Sequence, residues 1–133
     1  RIVFTTAGEA ERTLGTSINL SIEGNVYYFS ALAKRNGDFR FEFIDSGTNV
    51  RWRMGGQSAN DAAVLGVSAD YMANGMFPAG ETVYIVGKII TRSSSNDQVY
   101  LNTYRLTDTV PSVEPATWMT STNGGSGVTL TRF

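Results

Sequence analysis

Residues suited to meeting a sugar or another polar ligand recur in this chain at a spacing of two. Tyr100, Asn102 and Tyr104 occupy alternate positions of QVYLNTYRL at 98–106, and Tyr84 and Lys88 do the same within TVYIVGKII at 82–90. A period of two puts alternate side chains on one face of an extended strand. Aromatic rings stack on sugar C–H groups, while amide, ammonium and guanidinium groups meet hydroxyls. These five residues are therefore a candidate binding platform. Arg40, Glu42, Arg51 and Arg53, which alternate in FRFEF at 39–43 and VRWRM at 50–54, would extend it if their strands lie in the same sheet. The plainer alternative is that the tyrosines cap a core with their hydroxyls in water and the arginines form an ordinary polar face.

Catalysis finds less support. Glycoside hydrolysis needs two carboxylates, about 5–5.5 Å apart for retention or about 6.5–9.5 Å for inversion. The nearest approach is EFID at 42–45, where Glu42 and Asp45 stand three positions apart, so alternation sends them to opposite faces. They read as one solvated acid and one turn acid. The chain has no histidine and no cysteine, which removes the imidazole base, the Ser-His-Asp triad, the thiol nucleophile, any disulfide and cysteine zinc sites. No catalytic residue is assigned, and the chain is read as not being an enzyme. Calcium would have oxygen ligands in Asn36, Asp38, Asn60, Asp61, Asn96, Asp97 and Asp108, but without EF-hand spacing. Asn and Asp are also the preferred turn residues, and that reading is favoured, so no metal or other cofactor is assigned. Neither Gly55 and Gly56 nor Gly124 and Gly125 are followed by the Lys-Ser/Thr or helix start of a phosphate loop, and they read as flexible turns.

Composition narrows the classes further. A net charge of −1 with only two lysines provides no basic field for a phosphate backbone, so nucleic acid is excluded as a partner. Apolar runs fall well short of the roughly 20 residues of a helical span, and no signal-peptide pattern is present. The chain is read as soluble. Its 133 residues amount to about one domain. Starting at Arg1 rather than Met fits a processed product or a piece of a longer chain, so residues 1–133 are read as a single β domain that is open to being incomplete at its N-terminal side. Few lysines with abundant Thr, Ser, Asn and Gly resemble exported surface proteins, and an extracellular or cell-surface location is expected.

The elements that must carry these residues are strands. Arg1 to Phe4 is a short strand candidate, followed by a polar stretch through Gly15, weak alternation from Ser17 to Ile22, and a strong strand in VYYFSALAK at 26–34. Asn36 and Gly37 mark a turn into the Phe39 run. Beyond Met54 the expectation is a short strand over Ala62 to Val67 and a loop or one helical turn over Ser68 to Gly75. TVYIVGKII is hydrophobic and β-branched enough to be central in a sheet. A turn over Ser93 to Asp97 precedes QVYLNTYRL, a loop with Pro111 and Pro115 follows, and VTLTRF at 128–133 closes the chain. About eight strands with frequent turn signals predict an antiparallel β-sandwich or barrel.

The hairpin over 39–54 permits a sharper prediction. Phe43 must oppose either Val50 or Trp52 to keep the apolar residues on one face. The first choice sets Arg40 against Arg53; the second sets Glu42 against Arg53 and leaves a compact four-residue loop. The second is predicted, with Phe41, Phe43, Trp52 and Met54 entering the core and Arg40, Glu42, Arg51 and Arg53 on the other face.

GNVYYFSALAK, the aromatic-charged hairpin, PAGETVYIVGKI, NDQVYLNTYRL and the downstream EPATW together resemble the laminin-G-like jelly rolls of the concanavalin A-like lectin and glucanase superfamily, especially those of bacterial surface and exported proteins. The resemblance runs from about residue 12 to the end and rests on strand order and turn placement. It implies a jelly roll of two antiparallel sheets with glycan-binding or adhesive roles, in some members with calcium. Glucanases on this fold carry Glu-x-Asp-x-x-Glu on one strand, and no segment here matches it. The expected function is a non-catalytic, lectin-like carbohydrate-binding or adhesion module whose partners are glycans or other surface proteins. The alternative is a structural subunit of a surface layer or fibre that self-associates through its terminal strands, RIVF and VTLTRF. A glycan-active hydrolase ranks third.

Overall fold

A computed structural model describes residues 13–57, 62–66, 71–121 and 129–132. These residues form ten strands: β1 (Thr13–Asn19), β2 (Val26–Lys34), β3 (Phe39–Asp45), β4 (Val50–Gln57), β5 (Ala62–Gly66), β6 (Tyr71–Ala73), β7 (Thr82–Ile90), β8 (Gln98–Arg105), β9 (Met119–Ser121) and β10 (Thr129–Arg132). Two antiparallel sheets result, one ordered β1-β10-β3-β4-β5-β6 and one ordered β2-β7-β8-β9. They pack face to face as a β-sandwich. Among the described residues no helix is long and apolar enough to cross a membrane.

The two-residue period decides what goes inside. Val83, Ile85 and Ile89 of β7 and Val99 and Leu101 of β8 point inward, and they meet Phe43, Trp52, Met54 and Leu130 from the six-stranded sheet. Each of these large side chains, fully buried, contributes about 1.5–3 kcal/mol. The rings of Phe29 and Phe43 join the two layers at 5.3 Å between centroids. β7 lies between β2 and β8, the central position its composition predicts.

The hairpin takes the predicted register, with Phe43 opposite Trp52 and Glu42 opposite Arg53. Phe43, Trp52 and Met54 are buried, and Phe41 packs against them from a half-buried position. The turn differs from the predicted four-residue loop. Ile44 pairs with Val50, so Arg51 is bulged out of the ladder, and Asp45 N–H donates to Asn49 O at 3.1 Å. Three residues, Ser46 to Thr48, make the turn, and Thr48 takes the left-handed conformation at φ 68°. Asp45 explains the tightening. Its carboxylate accepts the Asn49 N–H at 2.9 Å and the Arg51 Nε–H at 2.8 Å, drawing both back over the turn.

Three other sequence expectations need correction. Gly55 and Gly56 are not turn residues but lie within β4, where a Cβ on Gly56 would sit 1.7 Å from the Phe77 ring and one on Gly55 only 1.9 Å from Phe39 O. Their lack of a side chain lets other groups cross the sheet. Within Ser68 to Gly75, residues Tyr71–Ala73 form strand β6 rather than a loop or helical turn, because pairing with β5 overrides their weak local pattern. The closing strand β10 is not an edge: it runs between β1 and β3, with Leu130 fully buried. Self-association through that strand is therefore closed off. The RIVF strand lies outside the described residues.

Candidate functional site

Because the odd positions of β7 face the core, Tyr84, Val86 and Lys88 face outward. On β8 the register sets Tyr104 opposite Tyr84, Asn102 opposite Val86 and Tyr100 opposite Lys88. On β2 it sets Leu32, Ser30 and Tyr28 beside the same three. All five residues of the predicted platform thus share the outer face of the four-stranded sheet. The segment after β8 turns back across that face, leaving a cleft of about 310 Å³ lined by Tyr28, Val86, Tyr104, Val113, Pro115 and Trp118, among others.

Of the five predicted platform residues Tyr104 lines this cleft, while Lys88 lies against two of its lining residues, Glu114 and Trp118. The Lys88 side chain is only 10% exposed, and the ammonium pairs with the Glu114 carboxylate. The same ammonium lies 4.5 Å from the centre of the Tyr100 ring and 5.2 Å from that of Trp118. A nearly buried ammonium is costly unless paired, and the acid and two ring faces supply that pairing. Glu114 also accepts the Tyr28 hydroxyl at 2.8 Å. Hydrogen bonds from Lys88 and then Tyr28 hold the Glu114 carboxyl below its usual range. The bond to Glu114 pushes the Tyr28 hydroxyl up in turn. Asn102 donates to Thr117 O at 2.9 Å, and Tyr100 donates to Gln98 Oε1 at 3.1 Å.

These contacts divide the platform by role. Lys88, Tyr100 and Asn102 fasten the 106–118 segment to the sheet, while Tyr84 and Tyr104 remain half-exposed side by side. The Trp118 ring stands edge-on to Tyr100, at 6.1 Å and 72°. Its indole N–H is buried and makes no well-formed hydrogen bond, although it lies near enough to Glu114 to help keep that carboxyl low. The cleft therefore presents aromatic walls and a carboxylate rim.

The arginine face does not extend this platform. Arg40, Glu42, Arg51 and Arg53 belong to β3 and β4 of the other sheet, so they face away from the cleft on the opposite side of the sandwich. Arg51 is bound to Asp45, at 2.6 Å between Nη2 and Oδ2. Arg53 Nε lies 3.3 Å from Glu42 Oε1, close enough for an ion pair but poorly aligned for a hydrogen bond. Arg40 is exposed.

Among the candidate calcium ligands, Asp108 accepts the Arg105 N–H at 2.7 Å and Asp97 accepts the Arg92 N–H at 2.8 Å, both closing turns. Asp97 is fully buried with its second oxygen unpartnered, and desolvation, aided by the charge on Glu23, pushes it up to about 6. Asn60 and Asp61 lie outside the described residues. Among the described residues no three His, Cys, Asp or Glu side chains converge to hold a metal ion.

Sequence reasoning missed Tyr28, Glu114 and Trp118 as site residues. Tyr28 was within reach, since it shares the alternation of β2 and that strand abuts β7. Glu114 and Trp118 sit in an aperiodic segment whose path over the sheet no local pattern announces. Comparison with protein-family models, with curated proteins and with solved structures finds no match to this chain.

Proposed function

We propose that the chain is a non-catalytic, lectin-like module that binds carbohydrate in the cleft over the four-stranded sheet, as part of an extracellular or cell-surface protein. The observation that carries this reading is the cleft itself. Its volume of about 310 Å³ falls at the small end of ligand sites. Tyr28, Tyr104 and Trp118 offer rings for sugar C–H groups, and Glu114 offers an acceptor for hydroxyls. Glu114 is the one carboxylate among the described lining residues, and its engagement with Lys88 keeps it ionised, which suits hydrogen bonding better than proton donation.

The jelly-roll reading draws support from the topology. The first and last described strands, β1 and β10, lie side by side, and the chain changes sheets at β1–β2, β2–β3, β6–β7 and β9–β10. A glycan array on the purified chain, with and without calcium, tests the function. Binding that is lost on Tyr104→Ala and on Trp118→Ala, with the circular dichroism spectrum unchanged, supports the cleft. Binding that survives both substitutions removes it.

A further inference from the structure

Among the described residues, strand β2 stands at the edge of its sheet. Its sole strand neighbour among them is β7, which it matches over nine consecutive pairs without a bulge. Natural edges are blunted by proline, bulges, inward charges or short length. VYYFSALAK has none of these except a lysine at its end. Its outward residues leave Val26 47%, Tyr28 58% and Leu32 65% exposed, and its inward residues Tyr27, Phe29 and Ala31 are only half-buried. Beside them the sandwich opens into an apolar gap of about 250 Å³ lined by Ile18, Phe29, Ala31, Phe41 and Phe43. Among the described residues no strand pairs with the outer side of this backbone, and an added one would also cover its half-buried rings.

The backbone phase fixes where such a strand would bond. Thr91 N–H donates to Asn25 O at 2.9 Å, so position 25 is a hydrogen-bonded position toward β7. By alternation 27, 29, 31 and 33 are as well. The N–H and C=O groups of Val26, Tyr28, Ser30, Leu32 and Lys34 then point to the open side. The strand is also its own complement about Ser30. A two-fold axis there sets Ser30 against Ser30, Tyr28 against Leu32, Phe29 against Ala31 and Val26 against Lys34. The large residue meets the smaller one in both the outer and the inner row, and the bonding positions face each other throughout.

We propose that a second copy of this chain pairs antiparallel along β2, with Ser30 on the two-fold axis, giving a dimer with one continuous eight-stranded sheet. The two clefts would then open on the same face. They would stand roughly 20 Å apart, about four strand spacings between the β7–β8 midlines. The pairing does not depend on what the clefts bind.

The chain has no cysteine, so engineered thiols report the register directly. Opposed Cα atoms of a hydrogen-bonded antiparallel pair lie about 5.5 Å apart, within disulfide reach. Under mild oxidation Ser30→Cys should cross-link with itself. Val26→Cys and Lys34→Cys should cross-link when mixed, and neither alone, because position 26 stands about 27 Å from its own copy. Sedimentation equilibrium should show a monomer–dimer equilibrium. Ser30→Pro, which removes a donor aimed at the open side and not toward β7, should weaken it about tenfold or more. An unmodified chain that stays monomeric into the submillimolar range overturns the proposal. So does Val26→Cys cross-linking with itself as readily as with Lys34→Cys.

Discussion

Gly87→Ala is the substitution with the most disproportionate expected effect. Gly87 lies in the middle of β7, directly opposite Phe29 on β2. A Cβ there would fall 1.5 Å from Cζ of Phe29 and within 2.3 Å of both neighbouring ring carbons. Ordinary contact needs more than 3 Å, so the ring must swing aside, and in doing so it leaves its packing on Phe43. Overpacking of this kind costs about 1–3 kcal/mol, and the lost ring–ring contact adds about 0.5–1.5 kcal/mol. Against that, replacing a strand glycine returns about 0.5–1 kcal/mol. The net is a loss of about 1–3 kcal/mol, or a fall in Tm on the order of 4–12 °C for a domain of this size.

A double-mutant cycle isolates the cause. In a Phe29→Ala background the clash is gone, so Gly87→Ala should be neutral or slightly stabilising there, with a coupling of about 1.5–3 kcal/mol. Urea unfolding followed by tryptophan fluorescence provides the numbers. Equal costs of Gly87→Ala in the two backgrounds, within about 0.5 kcal/mol, would refute the claim that the Phe29 ring occupies the space over this glycine.

Three further outcomes are expected. Thr48 is β-branched at φ 68°, so Thr48→Asn should stabilise the protein by about 0.5–1 kcal/mol, and a loss of stability in chemical denaturation would contradict the strained turn. Asp97 sits at about 6 against an ordinary 3.8, so the folded state binds its proton more tightly and pays up to about 3 kcal/mol as pH rises from 4 to above 6. Asp97→Asn should therefore gain Tm relative to the parent across that interval, and a difference that does not change with pH would count against the buried orphan oxygen. Asp45 acts with the opposite sign. Held down to about 2 chiefly by the Asn49 N–H and the Arg51 side chain, it stabilises fully above its ordinary 3.8, and that contribution disappears as pH falls toward 2. Asp45→Asn should cost stability at pH 7 and very little at pH 2.

Much of the framework was legible because burial imposes the two-residue period. VYYFSALAK and TVYIVGKII form strands over the residues predicted, and the Phe43–Trp52 register followed from counting charges across the hairpin. What escaped was set by contacts distant in sequence. β6 and β9 are three residues each and exist because a neighbour pairs with them. Gly55 and Gly56 read as turn residues until the ring and backbone that approach them are known. At the site, alternation placed Tyr84, Lys88, Tyr100, Asn102 and Tyr104 on one face, but it could not reveal that Glu114 reaches Lys88 from 26 residues away. Nor could it show that the arginines lie on the other sheet. Both facts depend on how strands are ordered in space, which alternation leaves open.

The chain's two tryptophans provide the most direct test of where it binds. Trp118 stands in the cleft and Trp52 is fully enclosed in the core. In a ¹H–¹⁵N titration with a glycan drawn from the array, the Trp118 indole resonance should shift saturably while that of Trp52 stays in place. Saturable binding that leaves the Trp118 signal unmoved, or that shifts instead the Arg40, Arg51 and Arg53 side chains on the opposite face, would contradict the assignment of the cleft.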